Sequence, residues 1–212
     1  MYVKWHPPPL GKTKLNTDGA AKTNTSNNGT GGVFCNTMGQ CILGFMGTIS
    51  TGNSTYMELN ALLQGLQLAW LHQLIPLEVN VDSTEVISML NKDNLHYSST
   101  LMECRYLIQQ LGNPPIIHTY REQNYVAHTL AQNGSSANVR DYTTIFTQPL
   151  TFLLPHLLAD QQGTAYPRLV KSTSTTNLSY SPTFLERDHS NDQDFDYSFC
   201  SVLQQAPCNG TI

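Results

Sequence analysis

The sequence is poor in charge, in paired cysteines and in long apolar runs. Charged residues make up 12% of its 212 residues, where roughly 25% is usual in soluble domains, and the formal net charge is −4. A strong positive charge, which marks many domains that bind polyanions, is therefore missing, although this alone excludes no such partner. The five cysteines are odd in number and form no Cys-x-x-Cys pair. This favours reduced thiols over a disulfide framework or a zinc site.

Membrane and export signals are also missing from the sequence. No apolar run approaches the roughly 18 residues that a transmembrane helix needs, so no membrane partner is expected. The N-terminal segment contains Pro7-Pro8-Pro9 but lacks the apolar core of a signal peptide. We therefore expect an intracellular protein, in the nucleus or the cytoplasm.

The composition changes along the chain. Hydrophobic residues make up 40% of the whole, which is enough for one domain with a core. Residues 171–212 hold five acidic side chains against two basic ones and are rich in Ser, Thr and Asn. We predict four segments: an extended lead-in without a strand over 1–13, a folded domain over 14–138, an extension packing on it over 139–169, and a disordered acidic tail over 170–212.

Hydrophobic periodicity predicts an α/β fold. The segments 14–20, 31–35 and 41–48 predict three antiparallel strands, with Asn27-Asn28-Gly29 as a turn between the first two. Leucines at helical spacing predict a long helix over 54–74 that Pro76 ends. Further elements are predicted as strands over 77–81 and 116–120 and as helices over 83–90, 100–111 and 124–133, with a terminal helix or turn over 153–160. This order favours a mixed sheet with helices on its faces.

Three carboxylates stand at the ends of these elements: Asp18, Glu58 and Asp82. Each has a structural interpretation, because Asp18-Gly19 could be a turn pair, Thr55-x-x-Glu58 a capping box and Asp82 a helix cap. The order of the elements instead brings them to one end of the sheet. Clustered carboxylates repel one another unless a cation neutralises them, and oxygen ligands suit Mg²⁺ or Mn²⁺. The pattern predicts a divalent metal site that could hold two ions about 4 Å apart.

Four motifs occur in the order and spacing of the plant RNase H-like family: Lys14-Leu15-Asn16-Thr17-Asp18-Gly19-Ala20, Glu58-Leu59-Asn60-Ala61-Leu62, Val81-Asp82-Ser83 and Arg121-Glu122-x-Asn124-x-x-Ala127. The resemblance covers residues 5–163, and this family is similar to the RNase H domains attached to non-LTR retrotransposon reverse transcriptases. The resemblance implies a five-stranded mixed sheet, with three antiparallel strands followed by parallel ones. It also implies cleavage of the RNA strand of an RNA–DNA hybrid with two Mg²⁺.

The resemblance further implies that Asp18, Glu58 and Asp82 are catalytic metal ligands. Where the family has its fourth ligand, an aspartate, this chain has His128. Imidazole can bind Mn²⁺ but is a poor ligand for Mg²⁺ and brings no negative charge. We therefore predict His128 as a weak substitute ligand, Mg²⁺ as the expected ion with Mn²⁺ as an alternative, and no small-molecule cofactor.

Polar side chains beside the carboxylates are candidates for nucleic-acid contacts, because hydroxyls and amides can bind 2′-hydroxyls and phosphates without large positive charge. These candidates are Asn16, Asn60, Ser83 and Asn124, with satisfied turns and caps as the competing interpretation. Two functions stay open. One is a metal-dependent endonuclease of RNA–DNA hybrids, which the three retained carboxylates favour. The other is a catalytically inactive, retroelement-derived module that binds nucleic acid or protein, which the loss of the fourth carboxylate favours.

Overall fold

A mixed sheet of six strands organises the fold. The computed structural model describes residues 1–21, 28–136 and 141–169, so the tail predicted over 170–212 lies outside the described residues. The strands are β1 (Tyr2–Val3), β2 (Thr13–Ala20), β3 (Asn28–Cys35), β4 (Cys41–Ile49), β5 (Leu77–Val81), β6 (Ile116–His118), β7 (Thr143–Phe146) and β8 (Tyr166–Pro167). The helices are α1 (Ser54–Leu71), α2 (Thr84–Leu90), α3 (Ser98–Gln110), α4 (Tyr125–Gly134) and α5 (Leu154–Gln161), with short 3-10 turns at Arg121–Gln123 and Thr151–Leu153.

The strand order confirms the predicted class of fold. In the sheet β6-β5-β2-β3-β4-β7, the neighbours β2, β3 and β4 are antiparallel, and β5 and β6 run parallel to β2. The five predicted strands are all present, and β7 is a sixth that pairs antiparallel with β4 at the edge. β7 reads Thr-Thr-Ile-Phe and all four residues are half-buried, so neither residue type nor burial alternates along it in a way that a sequence pattern could report.

The lead-in contains a strand that the sequence does not predict. β1 pairs antiparallel with β8, and these two short strands form a separate two-stranded sheet. Met1 and Arg168 extend this pairing with backbone hydrogen bonds of 3.0 and 2.8 Å. A strand of only two residues forms here because β8, from the other end of the described chain, pairs with it.

The long helix α1 ends earlier than predicted. It ends at Leu71, and Gln73 then takes a left-handed conformation with φ of 52°, before Pro76 is reached. Leu74 nevertheless packs against the core, which explains why the leucine spacing continues beyond the helix. Hydrophobic periodicity reports burial, and here burial outlasts the helix by three residues.

Helices cover both faces of the sheet. On one face, Leu62 and Leu66 of α1 are fully buried in a core shared with Leu15, Phe34 and Phe45 of the strands. The burial of each such side chain contributes roughly 1.5–3 kcal/mol relative to exposure. A second, smaller cluster lies on the other face and contains Trp5, Val33, Val126, Leu130, Leu153 and Leu157. This cluster fixes α4 and α5 against the strands.

The close approach of α4 explains a wrong turn prediction. Asn28 and Gly29, predicted as part of a turn, lie within β3. A Cβ atom on Gly29 or on Gly31 would collide with the backbone of Ala131 in α4. The glycines therefore let the helix lie directly on the strand, and this contact sets the position of α4 relative to β3. Among the helices of the described residues, none combines the length and apolar character needed to cross a bilayer.

Candidate metal centre

Two neighbouring parallel strands bring the first and third carboxylates together. Thr17 of β2 stands opposite Val81 of β5, so Asp18 and Asp82, the next residues, emerge at the same end of the sheet. Glu58 comes from α1, which approaches β2 so closely that a Cβ atom on Gly19 would collide with the helix backbone. Gly19 of the Asp18-Gly19 pair therefore lies within β2 and allows α1 to pack closely against this strand.

The three carboxylates form one cluster. Asp18, Glu58 and Asp82 each offer an oxygen, and these oxygens lie within 4.8 Å of one another. Asp18 is 1% exposed and Glu58 7% exposed. Each carboxylate also has one buried oxygen without a hydrogen-bond partner in the described residues. Because a buried acceptor without a partner costs about 1–3 kcal/mol, this donor set fits a hard divalent cation better than it fits an apolar site.

The turn and cap interpretations of these carboxylates are wrong. Asp18 lies within β2. The cap of α1 is Asn53, whose Oδ1 accepts a backbone N–H at 2.8 Å, and Thr55 lies inside the helix, so the predicted capping box does not form. The cap of α2 is Ser83, whose Oγ accepts a backbone N–H at 3.2 Å, and Asp82 is left for the cluster.

Burial and mutual repulsion change the acidity of the cluster. Burial raises the pKa of Glu58 to about 10, the charges of Asp82 and Asp18 add to this rise, and the backbone N–H of Gly19 and the charge of Arg121 oppose it. Burial also raises the pKa of Asp82 to about 7, together with the charge and hydrogen bond of Asp18. The nearby positive charge of Arg121 does not offset burial and repulsion in these carboxyl groups, and a divalent cation would supply the charge that is missing.

His128 adjoins the cluster through Asp18. Its Nδ1 lies 2.9 Å from Oδ2 of Asp18, and it is carried by the first turn of α4. The group of ligand atoms within 4.8 Å of one another contains the three carboxylates and not His128. Because Nδ1 is already engaged, metal coordination by His128 would have to use Nε2. The ligand role of His128 stays a prediction.

Two of the residues predicted to contact nucleic acid are parts of a buried network. The Nδ2 atom of Asn16 donates to Oδ1 of Asn124 at 3.0 Å, and Oδ1 of Asn16 accepts from the indole N–H of Trp5 at 3.0 Å. Asn124 in turn donates to the backbone oxygen of Thr17 at 2.9 Å. Asn16 and Asn124 are 1% and 2% exposed. Direct contacts from them to nucleic acid therefore have no support, because the protein uses and covers both amides.

The other two candidates lie nearer to the surface. Asn60 is half-buried and donates to the backbone oxygen of Tyr56 in its own helix at 2.7 Å. Ser83 is half-buried and caps α2. Ser83 directly follows Asp82, and Asn60 is two residues after Glu58. Their contacts with nucleic acid stay predictions.

Arg121 is the residue near the centre that sequence reasoning overlooks. It is exposed, and its charge acts on both Glu58 and Asp82. In the sequence it stands in a motif beside Glu122. No sequence pattern relates a single arginine in a loop to carboxylates far away in the chain.

Comparisons with known sequences agree with this geometry. The family model described as Reverse transcriptase-like matches residues 16–134, which is more than half of the chain. A protein of Arabidopsis thaliana with the provisional name ribonuclease H protein is 28% identical over 173 residues, or 80% of this chain. The chain spans 27% of that relative's length.

Solved structures share the fold. RNase H1 of the archaeon Halobacterium salinarum matches with a TM-score of 0.54 at 23% identity, over 58% of this chain and 97% of that one. An RNase H1 isolated from compost, in complex with an RNA/DNA hybrid, matches with a TM-score of 0.54 at 19% identity, over 59% of this chain and 97% of that one. The protease–reverse transcriptase of prototype foamy virus matches with a TM-score of 0.52 at 20% identity, over 65% and 22%. These likenesses confirm the predicted RNase H-like fold.

Proposed function

Because the chain belongs to the reverse transcriptase-like family of RNase H-like domains, we propose that it binds nucleic acid and cleaves the RNA strand of an RNA–DNA hybrid with divalent metal ions. The observation that carries this proposal is the cluster of Asp18, Glu58 and Asp82. Three separate elements bring these carboxylates within 4.8 Å, and each has a buried oxygen without a partner in the described part of the chain. A purely structural role would leave the energetic cost of these oxygens unexplained.

The carboxylates would hold the metal, and their neighbours would orient them. When bound, divalent ions supply an activated water and stabilise charge on the leaving oxygen of a phosphodiester. The close contact of Gly19 with the backbone of Met57 and Glu58 holds the first turn of α1, and with it Glu58, beside the end of β2. His128, in the tautomer with a proton on Nδ1, donates to Oδ2 of Asp18 and leaves Oδ1 available to a ligand.

The ion that suits this donor set best is Mg²⁺, with Mn²⁺ as the alternative. The three carboxylates offer hard oxygen ligands. His128 brings a nitrogen ligand that Mn²⁺ accepts more readily, so we expect Mn²⁺ to support activity where Mg²⁺ supports less. Two ions are the expectation that comes from the family, and calorimetric titration of Mg²⁺ and Mn²⁺ counts them directly.

Cleavage of a labelled RNA–DNA hybrid tests the proposal. We expect the wild type to release RNA fragments with Mg²⁺ or Mn²⁺ and Asp18→Asn to release none. Asp93→Asn is the matched control, because it removes an exposed carboxylate on a loop outside the cluster. Equal activity of the wild type and Asp18→Asn would refute the metal-centre assignment, and cleavage of DNA duplex in preference to hybrid would refute the substrate.

A second function is favoured by one observation, the histidine at position 128. A module that binds nucleic acid or protein without cleaving it needs no fourth carboxylate. If wild type fails to cleave and His128→Asp restores cleavage, the chain is an enzyme whose activity was lost at this position. If both are inactive while both still bind the hybrid, the binding module is the better description.

A further inference from the structure

We propose that Arg121 is a phosphate-binding residue, whose guanidinium receives a phosphodiester group of the nucleic-acid strand that lies over the acidic cluster. This inference rests on the proposed function for the presence of nucleic acid. It adds the cation that would anchor the strand beside the carboxylates, in a chain whose overall charge is −4.

The loop that carries Arg121 is fixed at both ends to the strands that carry the cluster. At one end, the backbone N–H of Thr119 donates to the oxygen of Val81 at 2.9 Å, one residue before Asp82. At the other end, the side chain of Asn124 donates to the oxygen of Thr17 at 2.9 Å, one residue before Asp18. The loop therefore bridges the ends of β5 and β2, and Arg121 lies between its two anchors.

The neighbours of Arg121 are held by the terminal segments of the described chain. The carboxylate of Glu122 accepts from Nη1 of Arg168 at 2.7 and 2.9 Å. The side chain of Gln123 donates to the backbone oxygen of Lys4 at 2.7 Å. The guanidinium of Arg168 also lies over the ring of Tyr120, 4.1 Å from its centroid. These contacts hold the loop backbone on both sides of Arg121.

Arg121 itself keeps its donors free. Its side chain is exposed, and within residues 1–21, 28–136 and 141–169 it has neither a hydrogen bond nor an ion pair. A planar guanidinium presents five N–H donors in a fixed arrangement that matches two phosphate oxygens. A held backbone with a free guanidinium is the arrangement that binds an anion with little loss of loop entropy.

Arg121 also lies beside the acidic cluster, where a bound strand would need a positive charge. Its loop is bonded to Val81 beside Asp82 and to Thr17 beside Asp18, so Arg121 lies at the rim of the cluster. A nucleic-acid strand that approaches three carboxylates is repelled, and a cation at the rim of the cluster offsets this repulsion. A phosphate bound there would place the adjacent phosphodiester over the cluster.

Salt-dependent binding tests the inference. We would measure the affinity for a fluorescent RNA–DNA hybrid in Mg²⁺, with Asp18→Asn in every protein so that the hybrid stays intact. Arg121→Gln is expected to weaken binding about tenfold at low salt, because it removes a charged hydrogen-bond donor. It should also reduce the slope of log Kd against log salt by about one, the loss of one phosphate contact. Arg121→Lys should keep the slope and lose part of the affinity, because it keeps the charge without the planar donors.

Lys12→Gln is the matched control. Lys12 precedes β2 at the end of the sheet opposite to Asp18, at a distance of about 20 Å along the strand. The Lys12→Gln variant loses one positive charge, as Arg121→Gln does. It should leave the slope of log Kd against log salt unchanged. Thermal unfolding of each variant verifies that the fold is intact.

Three results would overturn the inference. Equal affinity and slope for Arg121→Gln and its parent would show that no phosphate meets Arg121. An unchanged slope with weaker Mg²⁺ binding by calorimetry would show that Arg121 only tunes the carboxylates. A parent that binds no hybrid would remove the proposed function together with this inference. A parent that binds normally while Arg121→Gln has no effect removes the inference alone.

Discussion

His128 and Asp18 are in direct contact, with Nδ1 of the imidazole 2.9 Å from Oδ2 of the carboxylate. Asp18 is 1% exposed, and its other oxygen has no hydrogen-bond partner in the part of the chain that the structure describes. The imidazole therefore fixes the direction in which the free oxygen of Asp18 points. A histidine where the family has an aspartate thus changes how one ligand is held as well as how many negative charges the centre has.

Removal of the imidazole should weaken metal binding. His128→Ala is expected to lower the affinity for Mg²⁺ and Mn²⁺ by about 10- to 100-fold, the usual effect of losing a group that orients a ligand. Isothermal titration with each ion measures this change. His72→Ala, which alters an exposed histidine at the end of α1, serves as the control. Unchanged affinity in His128→Ala would mean that the strand alone orients Asp18.

Metal-free protein should lose stability as the pH rises. The pKa of Asp82 is raised from 3.8 to about 7 and that of Glu58 from 4.5 to about 10, so the folded state holds protons that the unfolded state has released. This stabilisation is complete below about pH 4. It decreases by up to about 1.4 kcal/mol per pH unit for each proton, through pH 7 for Asp82 and up to pH 10 for Glu58.

Urea unfolding in EDTA at several pH values measures this loss. Glu58→Gln should flatten the dependence above pH 7, because an amide resembles the neutral acid and does not titrate. Asp160, whose pKa burial also raises to about 7, titrates in the same range and is unchanged in this variant. Addition of Mg²⁺ should reverse the trend, because the ion binds the deprotonated cluster. A free energy of unfolding that rises between pH 5 and pH 9 in EDTA would contradict the assignment.

Asn124 should contribute more to the stability of the fold than to nucleic-acid binding. Asn124→Ala leaves the Nδ2 of Asn16 and the backbone oxygen of Thr17 without their partners, and each such buried group costs about 1–3 kcal/mol. Urea unfolding measures the loss. Asn60→Ala, which removes a half-buried amide bonded within its own helix, should cost about 1 kcal/mol or less. Wild-type stability combined with weaker binding of hybrid by Asn124→Ala would instead indicate a contact with the nucleic acid.

The ion pair between Arg168 and Glu122 should couple the C-terminal end of the described chain to the loop that follows β6. The side chains are 35% and 20% exposed, so solvent screens part of the attraction. A double-mutant cycle with Arg168→Met and Glu122→Gln should give a coupling energy of about 1 kcal/mol at low salt and less at high salt. Zero coupling at low salt would show that this ion pair does not stabilise the contact between the chain end and the loop.

The sequence by itself determined the local elements and the three carboxylates. Alternating and helical patterns depend on neighbours within a few positions, so β2, β4, β5 and most of α1 follow from the pattern. Asp18, Glu58 and Asp82 could be selected because each stands near the end of an element, and the order of elements brings those ends together. The parallel pairing of β2 and β5 then confirmed their proximity.

Only the tertiary structure decided which residues separated along the chain become partners. Asp18 and His128 are 110 positions apart, Asn16 and Asn124 are 108 apart, and β1 meets β8 across almost the whole described chain. The choice of Asn53 and Ser83 as caps likewise depended on where each helix begins in space. The free energy of such contacts depends on geometry that many elements set together. A sequence pattern covers only a few neighbouring residues and carries no information about this geometry. The sequence therefore indicates the carboxylates but not the side chains that hold them in place.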